Sequence, residues 1–309
     1  MLIEFAPLQG ITDATFRRIH CKEVGGISHY YTPFIRWLPN GIRNKDQHDT
    51  SMQSCGEVPT VPQVIAATRR EFAYLCDFLS NQGHHRIDLN MGCPFPMQVH
   101  AHRGCGLMEH PDRIKEIIAE MKERPSIQFS IKMRIGNTNP QQAQLLLPML
   151  NEAPLTHITI HPRIATQQYD GTPNMEAFEQ FYNQCQIPII YNGDILTIQQ
   201  IEQLQASYPN LHGIMIGRGL VANPTLLMKD WTPQQRHQSF WKIHDELLAQ
   251  AIQTLHDEGQ VLNHLQAYWT YWKDHINKKR LKKITKTRLL KNYIELTTAT
   301  RDDYPTDEG

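Results

Sequence analysis

The sequence predicts an α/β fold, a (β/α)8 TIM barrel followed by a small C-terminal all-α helical domain. Short apolar runs alternate with amphipathic segments through the barrel region, and these runs are nearly continuous rather than strictly alternating. Continuous apolar strands are typical of a parallel sheet covered by helices. Eight such strands separated by helices favour a barrel, and a doubly wound open sheet is the alternative.

The individual elements follow from these runs and from helical periodicity. Strands are predicted at residues 2–6, 28–32, 62–66, 86–90, 129–133, 157–161, 187–191 and 213–217. Helices are predicted at residues 12–23, 68–82, 111–123, 139–151, 174–184 and 197–207. Each predicted helix lies between two predicted strands, as the barrel requires.

The composition changes after residue 231, because Gly and Pro almost disappear between Pro233 and Thr298. We therefore expect a barrel domain at 1–231, a helical domain of three or four helices at 232–300 and a frayed acidic tail at 301–309. The segment "NHLQAYWTYW" (263–272) is interpreted as helix core. In "KKRLKKITKTRLLKNY" the apolar residues are expected to form one buried stripe, made of Leu281, Ile284, Leu289 and Leu290.

Bulk composition excludes several classes of protein. With 309 residues, 40% hydrophobic content and a formal net charge of zero, the chain has the composition of an ordinary globular protein. No apolar run approaches the length of a membrane span, the start "MLIEFAPLQG" has no signal-peptide pattern, and the six cysteines are scattered. We therefore expect a cytoplasmic monomer with no membrane contact.

A metal site at Cys93 is not predicted, although His100, His102 and Cys105 follow it. Their spacing is irregular and the chain has no CxxC motif, whereas zinc sites favour tight pairs. The segment "GCGLME" lacks the third glycine of a dinucleotide-binding fingerprint.

The carboxyl ends of the predicted strands carry polar and glycine-rich segments, which is where barrel enzymes place their active sites. In chain order these segments read "APLQG", "TPFIR", Gln63, "NMGCP", "KMR", "HPR", "NGD" and "GRG". The last two follow strands seven and eight, so they predict a phosphate site to which Arg218 contributes a charge.

Lys132 interrupts the apolar strand "FSIKM", and a lysine inside a barrel needs an anion or an acceptor. A reduced flavin would supply one at its N1–C2=O edge. His161, at the end of the next strand, could donate to the same ring or orient the substrate, and a capping histidine is the structural alternative.

These segments together resemble the tRNA-dihydrouridine synthase family of FMN-dependent reductases. The resemblance covers about residues 2 to 230 and rests on "APLQGITD", "DLNMGCPFP", "SIKMRIG", "HPR", "YNGDI" and "IMIGRG", in that order. It implies bound FMN, NADPH or NADH as the reductant, and tRNA as the partner. The reaction it implies is reduction of specific uridines to 5,6-dihydrouridine.

The resemblance also implies roles for individual residues. The residues implied to bind the cofactor are Pro7, Leu8, Gln9, Gln63, Lys132, His161, Asn192, Gly193, Asp194, Gly217 and Arg218. The residues implied to handle the uridine or nearby RNA are Arg36, Asn90, Arg134, Arg163 and Tyr169. Cys93 matches the family's proton donor, and a thiol with an ordinary pKa of about 8.5 is a suitable acid at neutral pH.

Three positions depart from the family pattern. The segment "FPMQV" after Cys93 and Pro94 lacks the usual lysine, Pro162 replaces a glycine and Ile164 replaces a threonine. These departures bear on substrate position, and secondarily on activity itself, rather than on flavin binding.

A basic segment in the helical region is the predicted RNA-binding surface. Between Lys273 and Lys291 the chain has nine Lys or Arg residues against Asp274 alone. The residues expected to contact RNA are Lys279, Lys282, Lys283 and Lys286. Two alternatives to the tRNA enzyme are an FMN reductase of a free pyrimidine or enone, and a catalytically silent RNA-binding barrel.

Overall fold

The computed structural model describes residues 1–50 and 58–303. Cys55 and residues 304–309 of the expected tail lie outside the described residues. The strands are β1 (Leu2–Phe5), β2 (His29–Tyr31), β3 (Thr60–Val61), β4 (Gln63–Val64), β5 (Arg86–Met91), β6 (Gln128–Gly136), β7 (Leu155–Ile164), β8 (Ile189–Asn192) and β9 (Gly213–Ile216). The third predicted strand, at 62–66, corresponds to β4, and β3 lies just before it. Pro62 separates the two because it has no backbone N–H to donate.

All neighbouring strands are parallel and run in the order β3-β2-β1-β9-β8-β7-β6-β5-β4. The two ends of this order meet because β3 and β4 are consecutive in the chain. Beyond β2, the Ile35 N–H donates to the carbonyl of Gln63 at 2.9 Å, and Ile35 pairs with Val64. The sheet therefore closes into a ring, which confirms the barrel and excludes the open doubly wound alternative.

The helices match the predicted periodic segments closely. They are α1 (Ala14–Glu23), α2 (Asn44–Thr50), α3 (Arg69–Asn81), α4 (Pro96–His100), α5 (Pro111–Lys122), α6 (Gln142–Asn151), α7 (Met175–Gln184), α8 (Ile198–Ser207), α9 (Arg218–Ala222), α10 (Pro233–Thr254), α11 (Glu258–Tyr268), α12 (Lys278–Lys286) and α13 (Leu290–Asp302). Three 3₁₀ turns lie at Gly104–Glu109, Ala165–Gln167 and Trp272–His275. Among the described residues, no helix is long and apolar enough to span a bilayer.

Side-chain caps fix where several helices begin. The Asp13 carboxylate accepts from the N–H of Phe16 at 2.9 Å and so starts α1, and the Thr68 hydroxyl accepts from the N–H of Glu71 to start α3. Behind the cap, α3 buries Phe72, Leu75 and Leu79 at helical spacing. The helices thereby cover the outer face of the barrel and leave its interior to the strand side chains.

The barrel interior is unusually polar for a protein core. Glu4, Asp88, Ser130 and Thr159 point inward from four different strands and are almost completely buried. Buried polar groups need hydrogen-bond partners. The Ser130 hydroxyl donates to Asp88, whereas the Thr159 hydroxyl has no protein partner among the described residues. This polar interior lies directly beneath the carboxyl ends of the strands.

The C-terminal helical region packs against the barrel through α10, which lies on α1, and through the turn Trp272–His275, which lies on α9. The Tyr268 hydroxyl donates to the carbonyl of Ile11 at 2.7 Å, and Trp272 Nε1 donates to the carbonyl of Val221 at 2.8 Å. Tyr268, Trp269 and Trp272 are fully buried, which confirms that the aromatic segment is core. The helical region is thus joined to the barrel on the side of its first and last strands.

The predicted apolar stripe in the basic segment is only partly correct. Ile284 is buried and Leu281 and Leu290 are half-buried, but Leu289 is 57% exposed. The reason is that α12 ends at Lys286 and the chain is extended at Thr287 and Leu289 before α13 begins. The segment therefore forms two helices with separate faces.

Tyr293 joins the core of the helical region, and its removal tests that core. Its hydroxyl accepts from Trp269 Nε1 at 2.9 Å and lies 2.9 Å from His244 Nε2. Tyr293→Phe leaves the buried indole N–H without a partner, so the free energy of unfolding should fall by about 1–3 kcal/mol. Urea denaturation measures this loss. Tyr74→Phe is the control, because Tyr74 is partly exposed and its loss should stay within about 0.5 kcal/mol. Equal effects of the two variants would contradict the assignment.

Candidate active site

A hydrogen-bonded chain of side chains rises from the barrel core to the turn that carries Cys93. The Asp88 carboxylate accepts from the Ser130 hydroxyl at 2.6 Å and from Gln63 Nε2 at 2.7 Å. The Gln63 carbonyl oxygen in turn accepts from Asn90 Nδ2 at 2.7 Å. We refer to Ser130, Asp88, Gln63 and Asn90 as the amide chain.

The upper end of the amide chain caps the Cys93 turn. The Asn90 side-chain oxygen accepts from the N–H of Gly92 at 3.1 Å and from the N–H of Cys93 at 2.9 Å. While Asp88 is ionised its carboxylate only accepts, so it fixes which end of the Gln63 amide faces it, and Gln63 then fixes the Asn90 amide. The orientation of the Cys93 turn is therefore set by Asn90, three residues earlier in the chain.

A close approach behind the turn fixes its other side. The N–H of Cys105 donates to the Cys93 carbonyl at 3.1 Å. Gly104 has a φ of 58°, and a Cβ there would lie 2.7 Å from the Cys93 carbonyl oxygen. Only glycine fits this position, both for its backbone conformation and for its contact.

The Cys93 thiol is half-buried, and burial raises its pKa. A backbone hydrogen bond from Phe95 and the charges of Arg134 and Lys132 act in the opposite direction but do not cancel this rise. The thiol therefore keeps its proton at neutral pH, as an acid must, and differs from the thiolates of nucleophilic sites.

Lys132 ends beside the same rim, where its ammonium donates to the Asn192 side-chain oxygen at 2.7 Å. Burial, reinforced by the charge of Arg134, lowers the pKa of Lys132 to about 8, although Asp88 partly offsets this. Asn192 is held in turn, because its Nδ2 donates to the carbonyl of Met215 at 2.7 Å. Lys132 thus remains mostly cationic at pH 7 and is fixed toward the end of β8.

Arg134 connects two strand ends over the site. Its Nε donates to the carbonyl of Gly92 at 3.1 Å, and its Nη1 donates to the carbonyl of Ile164 at 3.0 Å. Its guanidinium lies 5.6 Å from the ring centroid of Tyr169. Arg134 therefore supports the Cys93 turn besides facing the rim.

A second group of side chains gathers at the ends of β7 and β8. Arg163 is only 1% exposed, and its guanidinium binds both carboxylate oxygens of Asp194 and the carbonyl of Gly171. Arg218 donates to the same carboxylate at 2.6 Å, and its guanidinium lies 4.1 Å from the Tyr169 ring centroid. Direct contact of Arg163 with a ligand would require this network to open.

Two arginines hold the Asp194 side chain in its ionised form. Burial opposes that charge, but the hydrogen bonds and charges of Arg163 and Arg218 outweigh it and lower the pKa of Asp194. Asp194 itself has a φ of 44°, in the left-handed region. The group therefore carries one net positive charge beside the two glycine-rich turns.

These turns leave space that a side chain would fill. A Cβ on Gly193 would lie 3.0 Å from the Tyr191 hydroxyl and 3.4 Å from His161 Cδ2, and a Cβ on Gly217 would lie 3.2 Å from the Cβ of Ala6. Glycine therefore keeps the backbone of both turns close to the rim. A cradle of this kind beside Arg218 suits an anionic group such as phosphate.

His161 lies two residues before Arg163 in β7 and contacts its guanidinium. Its Nε2 is 3.2 Å from Arg163 Nη1, which only donates, so Nε2 accepts and the proton resides on Nδ1. Burial and the surrounding cations lower the pKa of His161 well below its usual value. The imidazole is therefore neutral, and its Nδ1–H is the donor it can offer.

The remaining predicted residues lie on the outer part of the rim or on α12. Pro7 and Leu8 are half-buried after β1, and exposed Gln9 donates to the carbonyl of Phe34 at 3.3 Å. Arg36 is half-buried, with its Nη1 4.0 Å from the sulfur of Met97. Lys279, Lys282, Lys283 and Lys286 are exposed on α12.

Sequence reasoning missed Asp88 and Ser130. Asp88 lies two residues before Asn90 in a strand and Ser130 two before Lys132, so the two-residue period places each on the inward face. This alternation is visible in the sequence, but the apolar residues of both strands indicate burial and give no reason to assign Asp88 and Ser130 to a site. No group of three His, Cys, Asp or Glu side chains is arranged to hold a metal ion in residues 1–50 and 58–303.

The sequence matches the model of the dihydrouridine synthase family over residues 4–305. The chain belongs to the dihydrouridine synthase family. This match confirms the resemblance predicted from the sequence motifs and confirms that the chain is an enzyme of an oxidoreductase family.

Individual relatives have low sequence identity to this chain, but the matches cover most of both chains. The chain is 26% identical over 226 residues to tRNA-dihydrouridine synthase B of Pasteurella multocida, covering 72% of this chain and 67% of the relative. It is 26% identical over 264 residues to tRNA-dihydrouridine(16) synthase of Pseudomonas putida, covering 78% and 81%. It is 28% identical over 272 residues to a probable tRNA-dihydrouridine synthase of Rickettsia bellii, covering 87% and 80%.

Solved structures support the fold. Morphinone reductase in complex with tetrahydroNAD is similar with a TM-score of 0.53 at 11% identity, covering 76% of this chain and 89% of that chain. Histamine dehydrogenase from Rhizobium sp. 4-9 is similar with a TM-score of 0.58 at 10% identity, covering 86% and 48%. Identities this low bear on the fold alone.

The buried Asp88 carboxyl makes a prediction about stability and pH. Burial raises its pKa to about 7, above the value of about 3.9 expected in the unfolded chain. Between these values the folded state binds a proton that the unfolded state releases, so the contribution is present below pH 4 and is lost as the pH rises to 7. Asp88→Asn removes this term. The difference in unfolding free energy, native minus variant, should therefore fall by up to about 1.4 kcal/mol per pH unit.

Urea denaturation of both proteins at pH 5, 6 and 7 measures the difference. Other titrating groups are shared by the two proteins and cancel in it. A difference that is constant across this range would mean that Asp88 is ionised throughout.

Proposed function

We propose that the protein is an FMN-dependent reductase that converts uridines of tRNA to 5,6-dihydrouridine, with NADPH or NADH as the reductant. The observation that carries the proposal is the meeting, at one barrel rim, of a protonated thiol, a buried ammonium and an arginine beside two glycine turns. Family membership supplies the reaction class. The curated relatives in Pasteurella multocida and Pseudomonas putida are named as tRNA enzymes, which supports tRNA as the substrate.

The residues present fit FMN at both of its ends. The glycine turns at Gly193 and Gly217, with Arg218, would hold the phosphate, while Asn192 and Asp194 would hold the ribityl chain. Lys132 and the Nδ1–H of His161 offer donors to the ring, and Pro7, Leu8 and Gln9 would border it. Gln63 has one amide hydrogen beyond those used in the amide chain. When bound, FMN supplies the hydride that uracil C6 accepts.

Cys93 supplies the matching proton in this proposal. Saturation of the C5=C6 bond requires a proton at C5, and a thiol that is protonated at neutral pH can donate it. Asn90 and Arg134 hold the turn from two sides, so they position the sulfur. The uridine must leave its stack to reach the rim, as for other enzymes that act on a base.

The division of labour between a catalytic domain at 1–231 and an RNA-binding helical domain at 232–300 belongs to the same proposal. The exposed lysines of α12 support it, since RNA binding depends on phosphate neutralisation. A reductase of free pyrimidines or enones would not need this surface, and a silent RNA-binding barrel would not need a protonated thiol on the rim.

Cys93→Ala should separate the two half-reactions. Reduction of bound flavin by NADPH, followed anaerobically by absorbance, should proceed near the native rate because the thiol takes no part in it. Single-turnover reoxidation by unmodified tRNA should slow by about 10²- to 10⁴-fold, the usual contribution of a positioned acid. Cys105→Ala is the matched control, since that buried thiol lies behind the turn. Reoxidation of the Cys93 variant at the native rate would assign the proton to another donor.

Flavin affinity should depend on the charge of Lys132. Because the pKa of Lys132 is about 8, its positive charge is lost as the pH rises through that value. The Kd for FMN should therefore rise between pH 7 and pH 9, as measured by flavin fluorescence titration. Lys132→Met should bind FMN more weakly at pH 7 and flatten this pH dependence. An equally steep rise in the variant would show that another group titrates.

Charge reversal on α12 tests the RNA surface. Replacing Lys279, Lys282, Lys283 and Lys286 by Glu should raise the Kd for tRNA. It should also reduce the slope of log Kd against log salt by up to about four, because each lost phosphate contact removes about one from the slope. Flavin reduction by NADPH should be unchanged. The control reverses Lys115 and Lys122 on the outer helix α5. Equal salt slopes for the two variants would place the RNA elsewhere.

A further inference from the structure

Two large apolar side chains are exposed immediately after Cys93. Phe95 is 68% exposed and Met97 is 66% exposed, whereas side chains of this kind are normally buried. Pro94 and Pro96 flank Phe95, and each fixes the φ of its own residue. The backbone of Phe95 is therefore restrained at the start of α4, and its ring lies in solvent beside the Cys93 turn.

The neighbouring surface combines cations with aromatic rings. The guanidinium of Arg36 lies 4.0 Å from the sulfur of Met97. Trp37, the next residue in the chain, stacks on Tyr74 with ring centroids 4.7 Å apart. The guanidinium of exposed Arg70 lies 5.4 Å from the Trp37 ring centroid. We call Phe95, Met97, Arg36, Trp37, Tyr74 and Arg70 the aromatic strip.

The charges around the strip favour an anionic partner. The Glu71 carboxylate, close by on α3, is taken up by a bidentate ion pair with Arg103. Arg36 and Arg70 have no comparable carboxylate partner among the described contacts of the strip. Alternating arginines and aromatic rings are typical of surfaces that bind single-stranded nucleic acid, where bases stack and phosphates are neutralised.

We propose that Phe95 stacks a nucleobase that flanks the target uridine, with Met97 and Arg36 supporting it, and that the strand continues toward Trp37 and Arg70. The proposal rests on the RNA substrate of the proposed function. Moving a uridine out of its stack leaves a neighbouring base with one face uncovered. An aromatic ring fixed one residue beyond Pro94 covers that face and keeps the neighbour beside the thiol.

Three variants test the strip. Phe95→Ala should weaken binding of a ten-nucleotide oligouridine and raise the tRNA concentration for half-maximal single-turnover reoxidation, each by about 5- to 150-fold, the range for one lost base–aromatic contact. Phe95→Trp should restore both values to near native. Leu145→Ala is the matched control, because Leu145 is 73% exposed on α6, away from the strip, and should change neither value.

The outcomes separate this inference from the proposed function. If native enzyme reduced by NADPH is not reoxidised by any RNA, the proposed function fails, and oligouridine binding by itself still decides whether Phe95 is a nucleobase contact. If tRNA reoxidises Phe95→Ala and native enzyme with equal concentration dependence, and both bind oligouridine equally, the stacking proposal is wrong while the function stands. Equal losses for Phe95→Ala and Phe95→Trp would also overturn it, since they would indicate a disturbed turn rather than a lost ring.

Discussion

The hydrogen bonds that join Asp88, Gln63 and Asn90 determine how the Cys93 turn stands over the barrel. Each member is almost completely buried, and each bond fixes the orientation of the next amide. The amide chain contains one carboxylate, that of Asp88, which only accepts hydrogen bonds while it is ionised. The amide chain ends at the backbone N–H of Cys93, the residue proposed as the acid. The barrel thus supplies more than a scaffold, because its interior sets the position of a single sulfur atom.

The rest of the rim is organised by an excess of positive charge. Lys132, Arg134, Arg163 and Arg218 lie at the ends of neighbouring strands, and the Asp194 carboxylate pairs with two of them, Arg163 and Arg218. Burying cations without full compensation costs free energy, and the lowered pKa values of Lys132 and Arg134 express that cost. An anionic, electron-rich ligand would offset it. Burial and the same positive charges also disfavour protonation of His161, so its imidazole remains neutral and can donate one hydrogen bond.

Much of this arrangement could be predicted from the sequence, for an identifiable physical reason. The apolar runs around Ile131 and Ile158 are buried on both faces, so they carry the signature of parallel strands. Because the strands are parallel and the barrel closes, their carboxyl ends lie on one rim, regardless of which side chains they carry. Cys93, Lys132 and Arg218 could thus be grouped before any coordinates were known.

Other features depend on contacts between segments that are distant in sequence. The role of Asp88 could not be predicted because its hydrogen-bond partners, Ser130 and Gln63, lie on neighbouring strands. Leu289 was expected to be buried because periodicity alone does not reveal that α12 ends at Lys286. The exposure of Phe95 follows from the backbone of one turn, and an apolar residue in a sequence gives no sign of being held in solvent.

Reduction of uridine in tRNA at this rim can be tested directly by identifying the product. Native protein, FMN and NADPH would be incubated anaerobically with unmodified transcribed tRNA, and the digested nucleosides would be analysed by mass spectrometry. We expect uridine to gain two hydrogens, and we expect Cys93→Ala to form far less of this product in the same time. Oxidation of NADPH without any dihydrouridine in the RNA would contradict this expectation.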